Sequence, residues 1–142
     1  MKNNKPNPVI GITYGTYDLF HIGHKRLLRR IKKYCDVLIV YASSDEFNLI
    51  KGKKSFDNFE IRKRNLLNSN YVDEVYKEEK WDQKKQDILR HNINIFIMGS
   101  DWKGKFDDLN EYCEVKYLKR TPFISSTKLK KKITKKNEKN KL

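Results

Sequence analysis

The feature that most constrains the fold is a series of short apolar runs that alternate with helical segments. The apolar runs, which we expect to be strands, are Val9–Gly15, Asp36–Tyr41, Tyr71–Tyr76, Asn94–Met98 and Glu114–Leu118. Helical periodicity and capping residues predict helices from about Ile22, from Asp57 to Asn68, from Asp82 to His91 and from near Ser125. This alternation is typical of a parallel sheet that helices cover on both faces. The sequence therefore predicts an α/β fold with a mainly parallel five-stranded sheet, and a polar loop over residues 43–56.

The length of 142 residues fits a single domain. We expect a flexible N-terminus over residues 1–8, the folded domain over residues 9–133 and a basic tail over residues 134–142. The net charge is +14, and residues 128–142 alone hold eight lysines and one glutamate. A basic chain attracts polyanions, which keeps a nucleic-acid-binding module open as an alternative. No recognisable DNA- or RNA-binding motif supports that alternative, so we expect no nucleic acid as the main partner.

Cysteine usage and hydropathy bear on the compartment. Cys35 and Cys113 form no C-x-x-C motif, and we expect them to be reduced thiols in a cytoplasmic protein. The first eight residues are polar and contain two prolines, unlike a signal peptide. No apolar run approaches the length of a membrane span.

The chemistry-bearing residues cluster where predicted strands end. Gly15, Ser43, Gly99 and Arg120 each follow such a strand end. In open parallel sheets the ligand crevice lies outside the carboxyl ends of the strands. The sequence therefore predicts one ligand site along this edge.

The segment from Gly15 to His24 is predicted to be a strand-turn-helix with the free N–H groups that bind anions. His21 and His24 lie three residues apart at the helix entrance and can face one direction. Gly15 allows close backbone approach, and Gly23, between the two histidines, leaves room for the phosphate chain. A histidine pair by itself is more often structural or a stray metal ligand. The surrounding glycines favour a phosphate site, in which the nucleotide-binding candidates are Gly15, Thr16, Tyr17, Asp18 and Gly23.

Four further segments carry candidate residues, each with a simpler interpretation beside it. Lys51 and Lys53 can neutralise phosphate charge, although a lysine run is usually just solvated. Arg62 lies on the predicted helix after residue 57, where a surface arginine is the simpler interpretation, and Asp101 could accept ribose hydroxyl hydrogen bonds or cap a turn. Three consecutive hydroxyl residues at a predicted helix start form a second anion site. The candidates in this segment, with the two residues at its beginning, are Arg120, Thr121, Ser125, Ser126 and Thr127.

The pattern Gly-Thr-Tyr-Asp-x-x-His-x-Gly-His resembles the signature of the HxGH nucleotidyltransferase superfamily, which implies a Rossmann-like fold. Class I aminoacyl-tRNA synthetases carry a related motif but need a second motif and several hundred residues more. The detailed resemblance is to the glycerol-3-phosphate cytidylyltransferases. It rests on the segments Tyr71–Val75, Trp81–Ile88 and Asp101–Asp107. The sequence departs from that family at Asn70, where arginine is usual, and at Phe123, where glycine is usual.

The resemblance implies transfer of CMP from CTP to glycerol 3-phosphate, giving CDP-glycerol and pyrophosphate. It places His21, His24, Lys51, Lys53 and Arg62 on the phosphates, and Lys51, Arg62 and Trp81 near the acceptor. It also implies Mg²⁺ bound with CTP, a homodimer, and a product used for teichoic acid or another cell-surface polymer. The alternatives are the same chemistry on ethanolamine, choline, ribitol or another sugar phosphate, an adenylyltransferase, and an inactive relative.

Overall fold

The computed structural model describes residues 6–119. Five strands form one sheet: β1 (Ile10–Gly15), β2 (Val37–Ser43), β3 (Glu74–Glu78), β4 (Ile95–Gly99) and β5 (Glu114–Leu118). Four helices connect them: α1 (Ile22–Lys32), α2 (Asp45–Ile50), α3 (Phe59–Leu67) and α4 (Lys84–His91). Short 3₁₀ turns occupy Asp18–Phe20, Trp81–Gln83, Ser100–Trp102 and Asp107–Glu111.

The sheet is parallel throughout, with strand order β3-β2-β1-β4-β5. This confirms the predicted α/β fold and its five-stranded sheet. The chain runs outward from β1 to β3 and then returns to the other side of β1 to form β4. The carboxyl ends of β1 and β4 therefore form the switch point at which parallel sheets bind ligands.

Two apolar clusters cover the two faces of the sheet, which explains why the strands are apolar throughout. On β2, Leu38 and Val40 belong to one cluster, whereas Ile39 and Tyr41 belong to the other. Helices α1 and α3 pack on the first face through Leu28 and other buried residues, and α4 packs on the second. Burying each large apolar side chain contributes roughly 1.5–3 kcal/mol.

The predicted loop over residues 43–56 contains a helix, so that prediction was wrong in part. Ser44 caps α2 by accepting a hydrogen bond from the Phe47 N–H at 3.0 Å. Two acidic residues, Asp45 and Glu46, follow the cap and suit the positive end of the helix. Six residues are too few to show a helical period, so the cap was the available signal.

Other boundaries differ from the prediction by one to three residues, among them the starts of α3 and β3. The N-cap of α3 is Asn58, whose side chain accepts from the Ile61 N–H at 3.0 Å, rather than Asp57. Strand β3 begins at Glu74, three residues later than expected. Asp73 lies just before the strand, where its carboxylate accepts hydrogen bonds from the Leu38 N–H and from Lys32 Nζ. The helix expected near Ser125 lies outside the described residues.

Within residues 6–119, no helix combines the length and the apolar character that crossing a membrane would require.

Candidate active site

A cavity of about 540 Å³ opens at the carboxyl edge of the sheet. Its walls come from the end of β1, the loop after α2, the end of β3, the start of α4 and the segment after β4. Predicted site residues that line it are Gly15, Thr16, Tyr17, Asp18, His24, Lys51, Lys53 and Trp81. The structure therefore brings together residues that lie far apart in the sequence, as the strand-end argument predicted.

The turn after β1 has a strained backbone. Tyr17, Leu19 and Phe20 have φ values of 54°, 61° and 29°, in the region that side chains other than glycine rarely adopt. Each left-handed residue costs on the order of 1–2 kcal/mol. Strain of this kind persists only where the surrounding structure enforces it, and it concentrates at functional sites.

Glycine is required at position 15 because the ring of Tyr17 leaves no room for a Cβ atom. A Cβ atom built on Gly15 would lie 2.7 Å from Cε2 of Tyr17, so a larger residue would displace that ring. The Tyr17 ring is buried and makes an edge contact with His24, with ring centroids 5.2 Å apart. The glycine therefore acts through Tyr17 on the position of a candidate catalytic histidine.

The two histidines stack on each other, with ring centroids 3.8 Å apart and an interplanar angle of 21°. His21 caps α1: its Nδ1 accepts a hydrogen bond from the Gly23 N–H at 3.1 Å. In the neutral ring the proton therefore lies on Nε2, which becomes a donor. Gly23 is buried in the first turn of α1 and does not line the cavity.

Both histidines are neutral at physiological pH. Burial, and to a lesser degree the neighbouring His21, lowers the pKa of His24 to about 3, with Asp18 acting in the opposite direction. Burial also lowers the pKa of His21. The pair can therefore offer N–H hydrogen bonds to phosphate oxygens, while positive charge must come from other side chains.

Asp18 joins the histidine turn to the loop that carries the lysines. Its buried carboxylate accepts hydrogen bonds from the N–H groups of Phe56 at 2.8 Å and of Asp57 at 3.0 Å. These contacts set the distance between the two phosphate-binding segments predicted from the sequence.

Lys51 lies at the cavity wall with a restrained ammonium group. Its Nζ donates to Ser43 Oγ at 2.6 Å and lies 4.8 Å from the ring centroid of Phe47 and 5.8 Å from that of Trp81. Burial is the main cause that lowers the pKa of Lys51 to about 8, and the Glu78 carboxylate opposes it. Lys53 lines the same cavity, and its N–H is anchored to the Asn48 carbonyl at 2.8 Å.

Arg62 lies beneath the cavity rather than in its wall, and it is fully buried rather than on the helix surface. Its guanidinium donates to the carbonyls of Thr16 and Asp57, both at 3.0 Å, and to the Asp45 carboxylate at 2.8 Å. These partners belong to the histidine turn, the lysine loop and α2. Contact with phosphates or acceptor stays a prediction for Arg62.

The aromatic wall includes Trp81 and Trp102. Trp81 packs edge-on against Phe47, with ring centroids 5.1 Å apart, and keeps 54% of its surface exposed. Asp101 precedes Trp102 in the 3₁₀ turn after β4 and is exposed beside the cavity rather than in its lining. Its contact with ribose stays a prediction.

Several predictions fall elsewhere. Arg120, Thr121, Phe123, Ser125, Ser126 and Thr127 lie outside the described residues. Asn70 adopts a left-handed backbone with φ of 71° and lines a different cavity, beside Phe20, Arg26 and Tyr71. Asn70 therefore does not line the first cavity, and the effect of its departure from the usual arginine stays a prediction.

Comparisons with known proteins identify the family of this chain. A family model described as cytidylyltransferase-like matches residues 12–132. The chain belongs to the cytidylyltransferase-like family. It is 57% identical to the glycerol-3-phosphate cytidylyltransferase of Bacillus subtilis, over 86% of this chain and 95% of that protein. Identity to the Staphylococcus aureus glycerol-3-phosphate cytidylyltransferase is 52%, over 86% of this chain and 92% of that one.

A solved structure supports the fold of this family member. The lipopolysaccharide core biosynthesis protein from Thermoplasma volcanium aligns with a TM-score of 0.67, over 82% of this chain and 99% of that chain. The sequences are only 21% identical, so the similarity concerns the fold.

In this cytidylyltransferase, sequence reasoning missed an ion pair in the cavity wall. Glu78 and Lys84 are both buried, and Lys84 Nζ lies 2.7 Å from Glu78 Oε2. Lys84 belongs to the segment that carried the family resemblance, which was a usable signal. Glu78 ends β3 among exposed charged residues, and nothing in the sequence distinguishes it from them.

Proposed function

We propose that the protein transfers CMP from CTP to glycerol 3-phosphate, forming CDP-glycerol and pyrophosphate. The observation that carries the proposal is one cavity that joins the histidine turn to Lys51 and Lys53. The glycerol-3-phosphate cytidylyltransferases, which this chain matches over nearly their whole length, support CTP and this acceptor.

The reaction requires no general base from the protein. A phosphate monoester is mostly dianionic at pH 7, because its second pKa is about 6. One of its oxygens attacks the α-phosphorus of CTP and forms a new P–O bond. The bond from the α-phosphorus to the bridging oxygen breaks, and pyrophosphate leaves with the electron pair. Catalysis then depends on in-line positioning and on stabilising charge.

Residues in and beside the cavity divide these roles. His21 stacks on His24 and does not itself line the cavity. The neutral rings of His21 and His24 donate N–H hydrogen bonds to phosphate oxygens of the triphosphate. Lys51 and Lys53 neutralise charge at the α- and β-phosphates and on the departing pyrophosphate, and Lys51 also contacts the acceptor phosphate. Arg62 acts as a positioning residue, because its three hydrogen bonds hold the segments that carry these groups.

The remaining predicted residues complete the nucleotide site. Asp101 accepts hydrogen bonds from the ribose, and Arg120 and Thr121 contact the nucleotide. The hydroxyls of Ser125, Ser126 and Thr127 bind the β- and γ-phosphates. These assignments rest on the family resemblance.

We propose that Mg²⁺ enters with CTP. Among residues 6–119, no group of three or more His, Cys, Asp or Glu side chains could hold a metal ion. Triphosphate oxygens are the usual ligands of Mg²⁺, which retains several waters. When bound, the metal would neutralise phosphate charge, while the lysines of the cavity act on the same oxygens from the protein side.

We also propose that two copies associate near the histidine turn. Ile22, at the start of α1, keeps 53% of its surface exposed, and Phe20 lies beside it in the second cavity. Light scattering coupled to size exclusion should give twice the chain mass. The variant Ile22→Lys should give a single chain mass, whereas Leu89→Lys, on exposed α4 surface, should not change the wild-type value.

Two free thiols, Cys35 and Cys113, support a reducing compartment. We therefore propose that the enzyme works in the cytoplasm, where CTP is available. A chain recovered in the cytoplasmic fraction of its own cells, with both thiols alkylatable after denaturation, is the expected result.

The experiment that tests the proposed function is a pyrophosphate-release assay with CTP or ATP and a panel of acceptors. The panel contains glycerol 3-phosphate, ethanolamine phosphate, choline phosphate and ribitol phosphate. CTP with glycerol 3-phosphate should give the highest kcat/KM. A higher value for another pair would contradict the proposed substrates and leave nucleotidyl transfer as the reaction class.

A further inference from the structure

The transfer chemistry assigns no role to one buried group in the cavity, the Glu78–Lys84 ion pair. Both side chains line the cavity, with 4% and 7% of their surfaces exposed. Removing two charges from water is costly, and a buried pair is often no more stabilising than apolar residues of similar size. An ion pair kept at a ligand cavity is therefore suited to bind part of the ligand.

The pair is connected to the phosphate-binding lysine. Ser43 Oγ accepts from Lys51 Nζ at 2.6 Å and lies 3.5 Å from Glu78 Oε1. One hydroxyl thus separates the group that would hold the acceptor phosphate from the carboxylate. An acceptor whose phosphate contacts Lys51 would bring its remaining atoms towards Glu78 and Lys84.

The hydrogen-bonding capacity of the pair is incomplete within the described part of the chain. Lys84 has three N–H donors, and Glu78 takes one of them at 2.7 Å. Each carboxylate oxygen of Glu78 can accept two hydrogen bonds and has one partner. A charged donor and a charged acceptor therefore lie side by side, which suits hydroxyl groups because each hydroxyl can both donate and accept.

The surrounding aromatic rings disfavour a cationic ligand. A quaternary ammonium binds over aromatic faces, but here the protein's own lysines lie there. Lys84 Nζ is 4.6 Å from the ring centroid of Tyr14, 5.2 Å from that of Phe106 and 5.8 Å from that of Trp81. Lys51 lies over the Trp81 ring as well. A positively charged head group would meet two ammonium groups instead of free ring faces.

We propose that the Glu78–Lys84 pair binds the hydroxyl groups of the acceptor and thereby selects a polyol phosphate over a phosphate with a cationic head group. Glu78 accepts a hydrogen bond from one hydroxyl, and Lys84 donates to another. The assignment rests on the proposed function, since it presumes that glycerol 3-phosphate is the acceptor.

The test compares glycerol 3-phosphate with propyl phosphate, which has the same carbon chain and no hydroxyls. The variants are Glu78→Gln and Lys84→Gln, with Glu79→Gln and Lys85→Gln as matched controls at exposed neighbouring positions. Glu78→Gln and Lys84→Gln should each lower kcat/KM with glycerol 3-phosphate by about 10- to 100-fold, the scale of a hydrogen bond to a charged group. With propyl phosphate it should change less than about threefold, because the lost contact never formed. The KM for CTP should not change, and both controls should match the wild type.

Removing one partner leaves the other charge buried and unpaired, which can prevent folding. The double variant Glu78→Gln/Lys84→Gln removes both charges, and its folding is checked by thermal unfolding. It should lose the preference for glycerol 3-phosphate over propyl phosphate and gain relative activity with ethanolamine phosphate.

Two failures are distinguishable. Equal losses with glycerol 3-phosphate and propyl phosphate, in a wild type that prefers glycerol 3-phosphate, would show that the pair is architectural and overturn this inference alone. A wild-type enzyme that prefers ethanolamine phosphate would contradict the proposed function itself.

Discussion

The histidine turn and the Glu78–Lys84 pair share one cavity but differ in how the chain builds them. The histidine turn is contiguous in sequence and has three strained residues, and hydrogen bonds from Arg62 and from the Phe56 and Asp57 N–H groups hold it in place. The ion pair joins the end of β3 to the start of α4, and Glu78 also contacts the hydroxyl of Ser43, 35 residues before it. On the roles proposed above, the groups that carry the transfer chemistry lie in one contiguous segment, whereas the pair that selects the acceptor is brought together by tertiary contacts.

The largest effect is expected at the histidine turn. His24→Ala should lower kcat by at least about 10²-fold, the scale for losing a preorganised donor that stabilises developing charge. His91→Ala is the matched control, because His91 bonds to Tyr41 outside the cavity. Steady-state kinetics check this prediction, and an unchanged kcat in the His24 variant would remove the assigned role.

The next effect concerns the lysine that connects the two regions. Because the pKa of Lys51 is lowered to about 8, it is charged below that pH and neutral above it. The kcat/KM for the acceptor should therefore fall about tenfold for each pH unit above about 8. Lys51→Arg should delay this fall to higher pH, since guanidinium remains charged. A pH profile that is identical in the two proteins would assign the fall to another group.

A smaller effect is expected for Arg62, which holds both phosphate-binding segments in place. Arg62→Lys loses the planar arrangement of donors that reaches three partners. The free energy of unfolding should fall by about 2–3 kcal/mol, and kcat should fall with it. Arg64→Lys, on the exposed face of the same helix, is the control and should stay within about 0.5 kcal/mol. Denaturant unfolding measures both; a stable Arg62 variant with weak acceptor binding would instead favour direct ligand contact.

The fold was largely predictable because its signals are local. The apolar runs at β1, β2, β4 and β5 are bounded by polar residues or glycine, and the predicted bounds lie within one or two residues of the observed ones. Helix α2 was missed because it is only six residues long and the N-cap residue Ser44 is a weak signal by itself. The predicted start of strand β3 was too early because Val72 is an apolar, buried residue that lies outside the strand.

The candidate site was predictable only in part. The histidine turn has a contiguous pattern, and the strand-end rule placed Lys51 near it. The burial of Arg62 could not be predicted, because its partners lie 5, 17 and 46 residues away. The pairing of Glu78 with Lys84 depends on the 3₁₀ turn that redirects the chain between them. Such contacts are properties of the folded chain, and no sequence period encodes them.

The smallest effect is expected from the basic tail. The family model ends at residue 132, before the last ten residues. Removing residues 134–142 should leave kcat and both KM values within about twofold of the full chain, since these residues lie beyond the segment that matches the family. A loss of nucleic-acid binding together with unchanged turnover would leave the enzyme assignment intact. Loss of turnover would place the tail in the catalytic domain.

The two regions of the cavity are proposed to perform separable roles, and one crossed measurement tests this division most directly. The kcat/KM of wild type, His24→Ala and Glu78→Gln is determined with glycerol 3-phosphate and with propyl phosphate at saturating CTP. The histidine variant should lose the same factor with both acceptors, whereas the glutamate variant should lose activity with glycerol 3-phosphate alone. Equal losses in both variants with both acceptors would contradict this division of roles.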